Sequence, residues 1–287
     1  MSSRSWPLII FLLIVSVSAY VGTFIMLRTP VEVAQKAGLS VIHLPRNDRS
    51  ENAPVIISVT VNHDSLPSAK PRVTLYFKQD REGRVYQRRD MVRLAGTDSY
   101  QQWLPGQSKG KKTFYIVEAE SAGGIKLTLP EGGDNEEAPF FIRWVGKTAR
   151  WLLYSHILFM VGAFLVIMHA FYYALAHLFT GNFHRSLYPL VLWGTGLFFI
   201  AGIPLGLAVA YQAFGVAWGG IPYGTDITDN KTLITLLYWI VIMVLFKGNP
   251  FCFAKERSFL IGPRSFSWLV LAGCALTVTV FLIPHSI

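Results

Sequence analysis

Residues 151–178 read WLLYSHILFMVGAFLVIMHAFYYALAHL, with no Asp, Glu, Lys or Arg among them. As a helix rising 1.5 Å per residue the stretch is about 42 Å long, more than the roughly 30 Å hydrocarbon core of a bilayer. A run of this length and polarity is a membrane span, so part of the fold has lipid as its solvent. Three further apolar stretches follow, 188–214, 233–246 and 266–283. Pro204 is expected to kink the first of these, and the second is short unless Thr232 and Lys247 sit at the interfaces. Trp151, Tyr188, Tyr211, Trp218 and Trp268 flank the spans as an aromatic belt does.

Upstream, residues 6–27 are uncharged and lie between Arg4 and Arg28. They predict a fifth span. The alternative is a cleavable signal peptide with the small residues Val17-Ser18-Ala19 as its cleavage site. The apolar character continues through 20–27, which favours an uncleaved anchor. Overall the chain is 52% hydrophobic and 15% charged, against about 25% charged in a soluble domain. Most of the charge lies between Arg28 and Arg150. The net charge of +9 therefore matches the basic surplus of membrane proteins near anionic headgroups and gives no reason to expect a nucleic-acid partner. Cys252 and Cys274 lack metal-ligand spacing and read as incidental thiols.

Between the first and second spans the pattern changes to short runs with a period of two. Residues 55–61, 72–77 and 112–120 alternate or are β-branched, 86–94 alternates loosely, 99–105 ends on Pro105, and 125–129 follows Gly123-Gly124. Such spacing predicts an antiparallel β-sandwich. The expected fold class is thus membrane α plus β: five transmembrane helices, one N-terminal and four C-terminal, with an extracytoplasmic antiparallel β-sandwich inserted between the first and second. Residues 1–28 are expected to be the anchor, 29–53 a linker containing Pro30 and Pro45, 54–142 the sandwich and 143–287 a four-helix membrane domain. The strings VTLYFK, YQQWLP, KKTFYIVEAESAGG and LTLP resemble those of immunoglobulin-like or fibronectin type III-like modules. That resemblance implies a fold and no activity.

Charge in the short loops sets the expected orientation. The loop 247–265 carries Lys247, Lys255, Arg257 and Arg264 against Glu256, and 179–187 carries Arg185. The loop 215–232 carries Lys231 with Asp226 and Asp229. The first two are expected in the cytoplasm and the third outside, as in a bacterial inner membrane, with the N-terminus inside and the β domain and C-terminus outside.

The loop WGGIPYGTDITDNKT, residues 218–232, is the most distinctive stretch. Asp229 and Asn230 suit a helix N-cap, with Thr228 or Asp229 starting the fourth span. The competing reading is a polar pocket at the outer membrane face made by His156, Trp218, Asp226, Asp229, Asn230, Lys231 and His285. Two histidines and two aspartates form an N/O donor set for a divalent metal. Alternatively, His156 and His285 form the one two-helix pair suited to a b-type haem. His169, expected at mid-membrane, reads as an interhelical hydrogen-bonding group, and His177 could meet only His184.

No catalytic residue is assigned. Walker, GxSxG and HExxH motifs are absent, and no span contains an acid suited to ion coupling. Gly194-Thr195-Gly196 and 202–206 read as close helix packing. The loop, together with Ala213-Phe214-Gly215 and Ile283-Pro284-His285-Ser286, resembles a group of bacterial multi-span membrane proteins to which no activity is attached. Two functions remain open. The first is a non-catalytic membrane protein displaying its sandwich to protein partners in an envelope or respiratory assembly. The second is a redox or metal-handling protein using His156 and His285.

Overall fold

The computed structural model describes residues 31–45, 47–63, 70–79, 85–130, 139–247 and 260–283. The expected first span, Cys252 and His285 lie outside the described residues. The chain forms two compact units. Among the described residues, the β unit comprises 31–147 together with 212–215, and the helical unit comprises 148–211 and 216–283.

Eleven strands are present among the described residues of the β unit. They are β1 (Glu32–Lys36), β2 (Leu39–His43), β3 (Asp48–Ser50), β4 (Val55–His63), β5 (Arg72–Gln79), β6 (Gln87–Asp90), β7 (Val92–Arg93), β8 (Ser99–Leu104), β9 (Lys112–Glu120), β10 (Lys126–Leu129) and β11 (Phe140–Val145). One sheet runs β1-β2-β4-β8-β7. The other runs β3-β11-β9-β5-β6, with β10 also pairing to β9. Strand periodicity generates the core. Val55, Ile57, Val59 and Val61 of β4 point inward, as do Thr113, Tyr115, Val117 and Ala119 of β9. Both sheets contribute to one apolar cluster that also holds Leu75, Phe77, Ile142 and Trp144. The Trp144 indole N–H donates to the Thr113 hydroxyl at 3.3 Å, so its polar end is satisfied within that core.

Four expectations change. The stretch 29–53, expected as a linker, contains β1, β2 and β3. β1 and β2 pair antiparallel, burying Ala34, Leu39 and Val41. β3 pairs parallel to β11, so the sandwich is not wholly antiparallel. The loose alternation of 86–94 is a change of sheet: β6 belongs to one sheet, β7 to the other, and the break falls at Met91. Finally, 140–145 forms a strand beyond the last one expected.

The described helices are α1 (Arg150–Thr180), α2 (Leu187–Ile200), a π turn (Ala201–Leu205), α3 (Gly206–Phe214), α4 (Ile227–Lys247) and α5 (Pro263–Leu282). α1 stops at Gly181, whose φ of +73° lets its N–H reach back to the His177 carbonyl. α5 starts with Pro263 in its first turn, where a missing N–H costs nothing. Pro204, where a kink was expected, sits inside the π turn that joins α2 to α3. Four stretches, Arg150–Thr180, Leu187–Phe214, Ile227–Phe246 and Pro263–Leu282, are long and apolar enough to cross a bilayer. Apolar residues also dominate outward positions such as Leu153, Ile157, Trp193 and Leu237. Helices apolar on all sides belong in lipid. The chain is therefore a multi-pass membrane protein.

Packing inside the bundle is tight. Gly194 faces Ile167, Gly202 faces Thr232 and Gly273 faces Tyr238 and Trp239, each too closely for a Cβ. Gly196 faces open space, so the close packing expected of 194–196 rests on Gly194. Hydrogen bonds cross between helices from Trp239 to the Thr277 hydroxyl, 3.1 Å, and from the Tyr238 hydroxyl to the Leu269 carbonyl, 2.7 Å. Tyr188 departs from the expected aromatic belt. It is 3% exposed, and its ring meets those of Phe246 and Phe266 inside the bundle.

Candidate functional site

Loop 218–232 folds into a knot around the start of α4. Asp226 is the residue just before the helix, and its Oδ1 accepts the N–H groups of Thr228 (2.8 Å) and Asp229 (3.2 Å). Asp226 is therefore the N-cap, in place of Asp229 or Asn230, and the helix begins earlier than expected at Ile227. Asp229 and Asn230 turn back to the loop. Asp229 Oδ2 accepts from Gly219 N–H at 2.6 Å and Asn230 Oδ1 from Ile221 N–H at 2.7 Å. The Trp218 indole donates to the Ile221 carbonyl at 3.0 Å. Gly220 is pressed against Asp229 and Asn230, and Gly224 against the Gly219 backbone, so neither has room for a side chain. Lys231 is 7% exposed and donates from Nζ to the Ile283 carbonyl at 2.7 Å.

The structure thus brings together Trp218, Asp226, Asp229, Asn230 and Lys231, with their polar groups joined to backbone. Replacing Asp226 with alanine is expected to cost about 1 kcal/mol, the usual value of an N-cap, and to speed hydrogen exchange in the first turn of α4. Asp226→Asn caps as well and should exchange like the parent. Equal losses from both variants would instead mean that the carboxylate charge matters.

His156 engages the π turn: its Nδ1 donates to the Ala201 carbonyl at 3.0 Å. A Cβ at Gly206 would crowd the same Ala201 oxygen at 3.2 Å while meeting the His156 ring at an ordinary contact distance of 3.8 Å. Among the described residues His169 does not make the expected interhelical hydrogen bond. Its ring meets Tyr173, one turn along α1, edge-on at 5.2 Å. His177 shares a 2.8 Å hydrogen bond with Ser267 rather than meeting His184, which stacks on Tyr173. Among the described residues, no group of three or more His, Cys, Asp or Glu is placed to hold a metal.

A second site lies in the β unit, where part of the expected linker meets the expected sandwich. The chain leaves one sheet at the end of β2 and joins the other at β3. Beside this crossing lies a cavity of about 720 Å³, walled by residues 54–58, the end of β2, Arg49, Gln101 and Trp103. Its floor includes two buried polar groups, His43 at 3% and Tyr115 at 0% exposure. His43 Nδ1 donates to the Ser58 carbonyl at 2.9 Å, which leaves Nε2 to accept from the Tyr115 hydroxyl at 2.8 Å. The neutral ring thus satisfies both partners. Phe140 packs edge-on against His43. Burial raises the Tyr115 pKa, opposed by the Arg49 charge.

Burial also lowers the His43 pKa from its ordinary 6.5, although the hydrogen bond to Ser58 opposes the shift. The unfolded chain therefore binds a proton that the folded ring resists. Stability from the neutral ring is complete above about pH 6.5 and is lost as pH falls below it. The unfolding midpoint of the β unit is expected to drop between pH 7 and pH 5.5. His43→Gln should flatten that slope in a pH-resolved melt of the full chain, and an unchanged slope would show that other groups set it.

The signal for this site was present in the period-two placement of Leu39, Val41 and His43. Five residues beside a proline and a charged run were too short to read as a strand. No protein-family model matches the chain and no curated protein matches it, so neither comparison identifies an immunoglobulin-like family or the loop-sharing membrane group.

Proposed function

We propose that this multi-pass protein holds an immunoglobulin-like β-sandwich on the extracytoplasmic face of a bacterial inner membrane as a protein-interaction module of an envelope or respiratory assembly. The observation that carries this reading is the cavity beside β4, where a strand edge, exposed Ile56 and Trp103 and the half-buried Arg49 are available for contact. Loop 218–232 supports it from the other direction. Its acids and amide close the loop onto α4, which is what a structural cap requires and leaves little for catalysis. The proposed orientation rests on the basic loop 247–265, read as cytoplasmic. The polar pocket at the outer face is read as the closed end of the bundle.

A second reading has one observation in its favour. A ligating histidine commonly orients its ring by donating the other N–H to a carbonyl, as His156 does to Ala201. His156 and His285 would then hold one b-type haem or a divalent metal, with electron transfer or metal handling as the function. An absorption spectrum and metal analysis of the full-length protein in detergent separate the readings. The interaction module predicts no Soret band and no stoichiometric metal. A Soret band, or bound metal, that disappears in His156→Ala would overturn it.

A further inference from the structure

Strand pairing decides which backbone groups of β4 are open. The Val61 N–H donates to the Asp98 carbonyl, on the β8 side, at 2.9 Å. By strand alternation the odd-numbered residues of β4 bond toward β8, and Ile56, Ser58, Thr60 and Asn62 face the β2 side. Ile42 and Ser40 of β2 stand opposite Thr60 and Asn62, but the ladder stops at His43 opposite Val59. Beyond that point the chain has crossed to the other sheet as β3. The Ser58 carbonyl is taken by His43. Among the described residues no strand pairs with Ile56 or Ser58 on the β2 side, the side toward which the Ile56 N–H and carbonyl and the Ser58 N–H point. Ile56 and Ser58 both line the 720 Å³ cavity.

Arg49 supplies a charge to this opening. Its neighbour Asp48 is paired to Arg143 at 3.0 Å, whereas Arg49 has no carboxylate partner among the described residues. It is half-buried, and the other lining side chains are apolar or neutral. A guanidinium held in an opening with no other charged lining residue favours a carboxylate, ideally in bidentate contact. Ile56 and Trp103, opposite each other in the register and 41% and 55% exposed, extend an apolar surface along the same place.

We propose that the open edge of β4 receives an extended segment of a partner protein as an added strand, with an acidic side chain of that segment bound by Arg49. The backbone bonds go to Ile56 and Ser58, alternate apolar side chains of the segment cover Ile56 and Trp103, and the carboxylate enters the cavity. This is strand addition in which main-chain bonds give affinity and one pocket gives selectivity. It rests on the reading of the β unit as an interaction module and names the class of partner.

The test uses the full chain in lipid nanodiscs. The probe is a fluorescent ten-residue peptide of alternating valine and threonine with a central aspartate, compared with its lysine counterpart and with a copy N-methylated at alternate amides. The aspartate peptide is expected to bind at least about tenfold more tightly than the lysine peptide, as one charge-assisted contact allows. The N-methylated copy should lose binding. Arg49→Gln should abolish the preference for aspartate while retaining binding.

Ile56→Pro should abolish binding with an unchanged melt, because the N–H it removes lies outside the ladder to β8. Equal binding of the two charged peptides, undiminished binding to Ile56→Pro, or no binding of any peptide overturns the proposal. So does a dimer of this chain that Ile56→Pro dissolves, since the edge would then serve a second copy. Photo-crosslinking in cells from position 103 and from position 76 on the other sheet separates this proposal from the reading beneath it. Crosslinked partners without peptide binding remove strand addition alone, and no crosslinks with no peptide binding removes both.

Discussion

Trp144→Ala is expected to lower the stability of the β unit by about 3–5 kcal/mol, the range for deleting a fully buried tryptophan. Trp144 is 0% exposed within the cluster shared by both sheets, and its indole donates to the Thr113 hydroxyl. The variant opens a cavity and strands that buried hydroxyl, which adds to the lost apolar contact. Trp144→Phe keeps most of the volume and loses the hydrogen bond, so a loss of about 1–2 kcal/mol is expected. Urea unfolding of the full-length protein in detergent, followed by proteolysis, measures both. The β unit should become protease-sensitive while a membrane fragment containing the four spans resists. Simultaneous loss of both would mean that the two units unfold as one.

Gly273→Val is expected to cost the helical unit about 1–3 kcal/mol or more through overpacking. A Cβ at this position would lie 2.6 Å from Tyr238 Cε1 and 2.8 Å from the Trp239 ring. Neither ring has freedom to move. The Tyr238 hydroxyl is bonded to the Leu269 carbonyl, and Trp239 is 0% exposed and bonded to Thr277. The close approach of α4 and α5 would have to open, breaking those bonds where no water replaces them. Gly196→Ala is the matched control. A Cβ there meets nothing within 4 Å, so a change within about 0.5 kcal/mol is expected. Thermal stability of detergent-solubilised variants, read by size-exclusion chromatography, ranks the two. Equal effects would contradict the packing of α5 against α4.

The four spans were legible because lipid demands apolar residues on every side of a helix, whereas a helix at a protein surface in water carries charge along its wet face. β4 and β9 were legible because one face of each is buried and the other wet, giving strict alternation. β1 to β3 were not. Each is three to five residues long, and β1 places one residue, Ala34, in the core. β11 was hidden because its apolar residues run directly toward the first of the four spans.

In the loop, the residue types signalled a cap, and their mutual distances assigned it to Asp226. The sequence marks Gly220 and Gly224 only as part of a distinctive loop, and the folded loop shows that each has no room for a side chain. The cavity beside β4 depends on where β2 leaves its neighbour. That is a matter of register between segments distant in sequence, and no local pattern encodes it. Arg49 looked like one residue of a charged run, and only the folded unit separates it from Asp48.

The proposed placement of the β unit outside the cytoplasm is tested most directly by labelling single cysteines in spheroplasts with a membrane-impermeant maleimide. Cys252 and Cys274 are first replaced by serine and alanine. Ala95→Cys lies at an exposed turn of the β unit and Asn182→Cys at the exposed end of α1. Ala95→Cys is expected to label in intact spheroplasts, and Asn182→Cys only after the membrane is permeabilised. Labelling of Asn182→Cys in intact spheroplasts, with Ala95→Cys protected until permeabilisation, would place the β unit in the cytoplasm and contradict its display as an extracytoplasmic module.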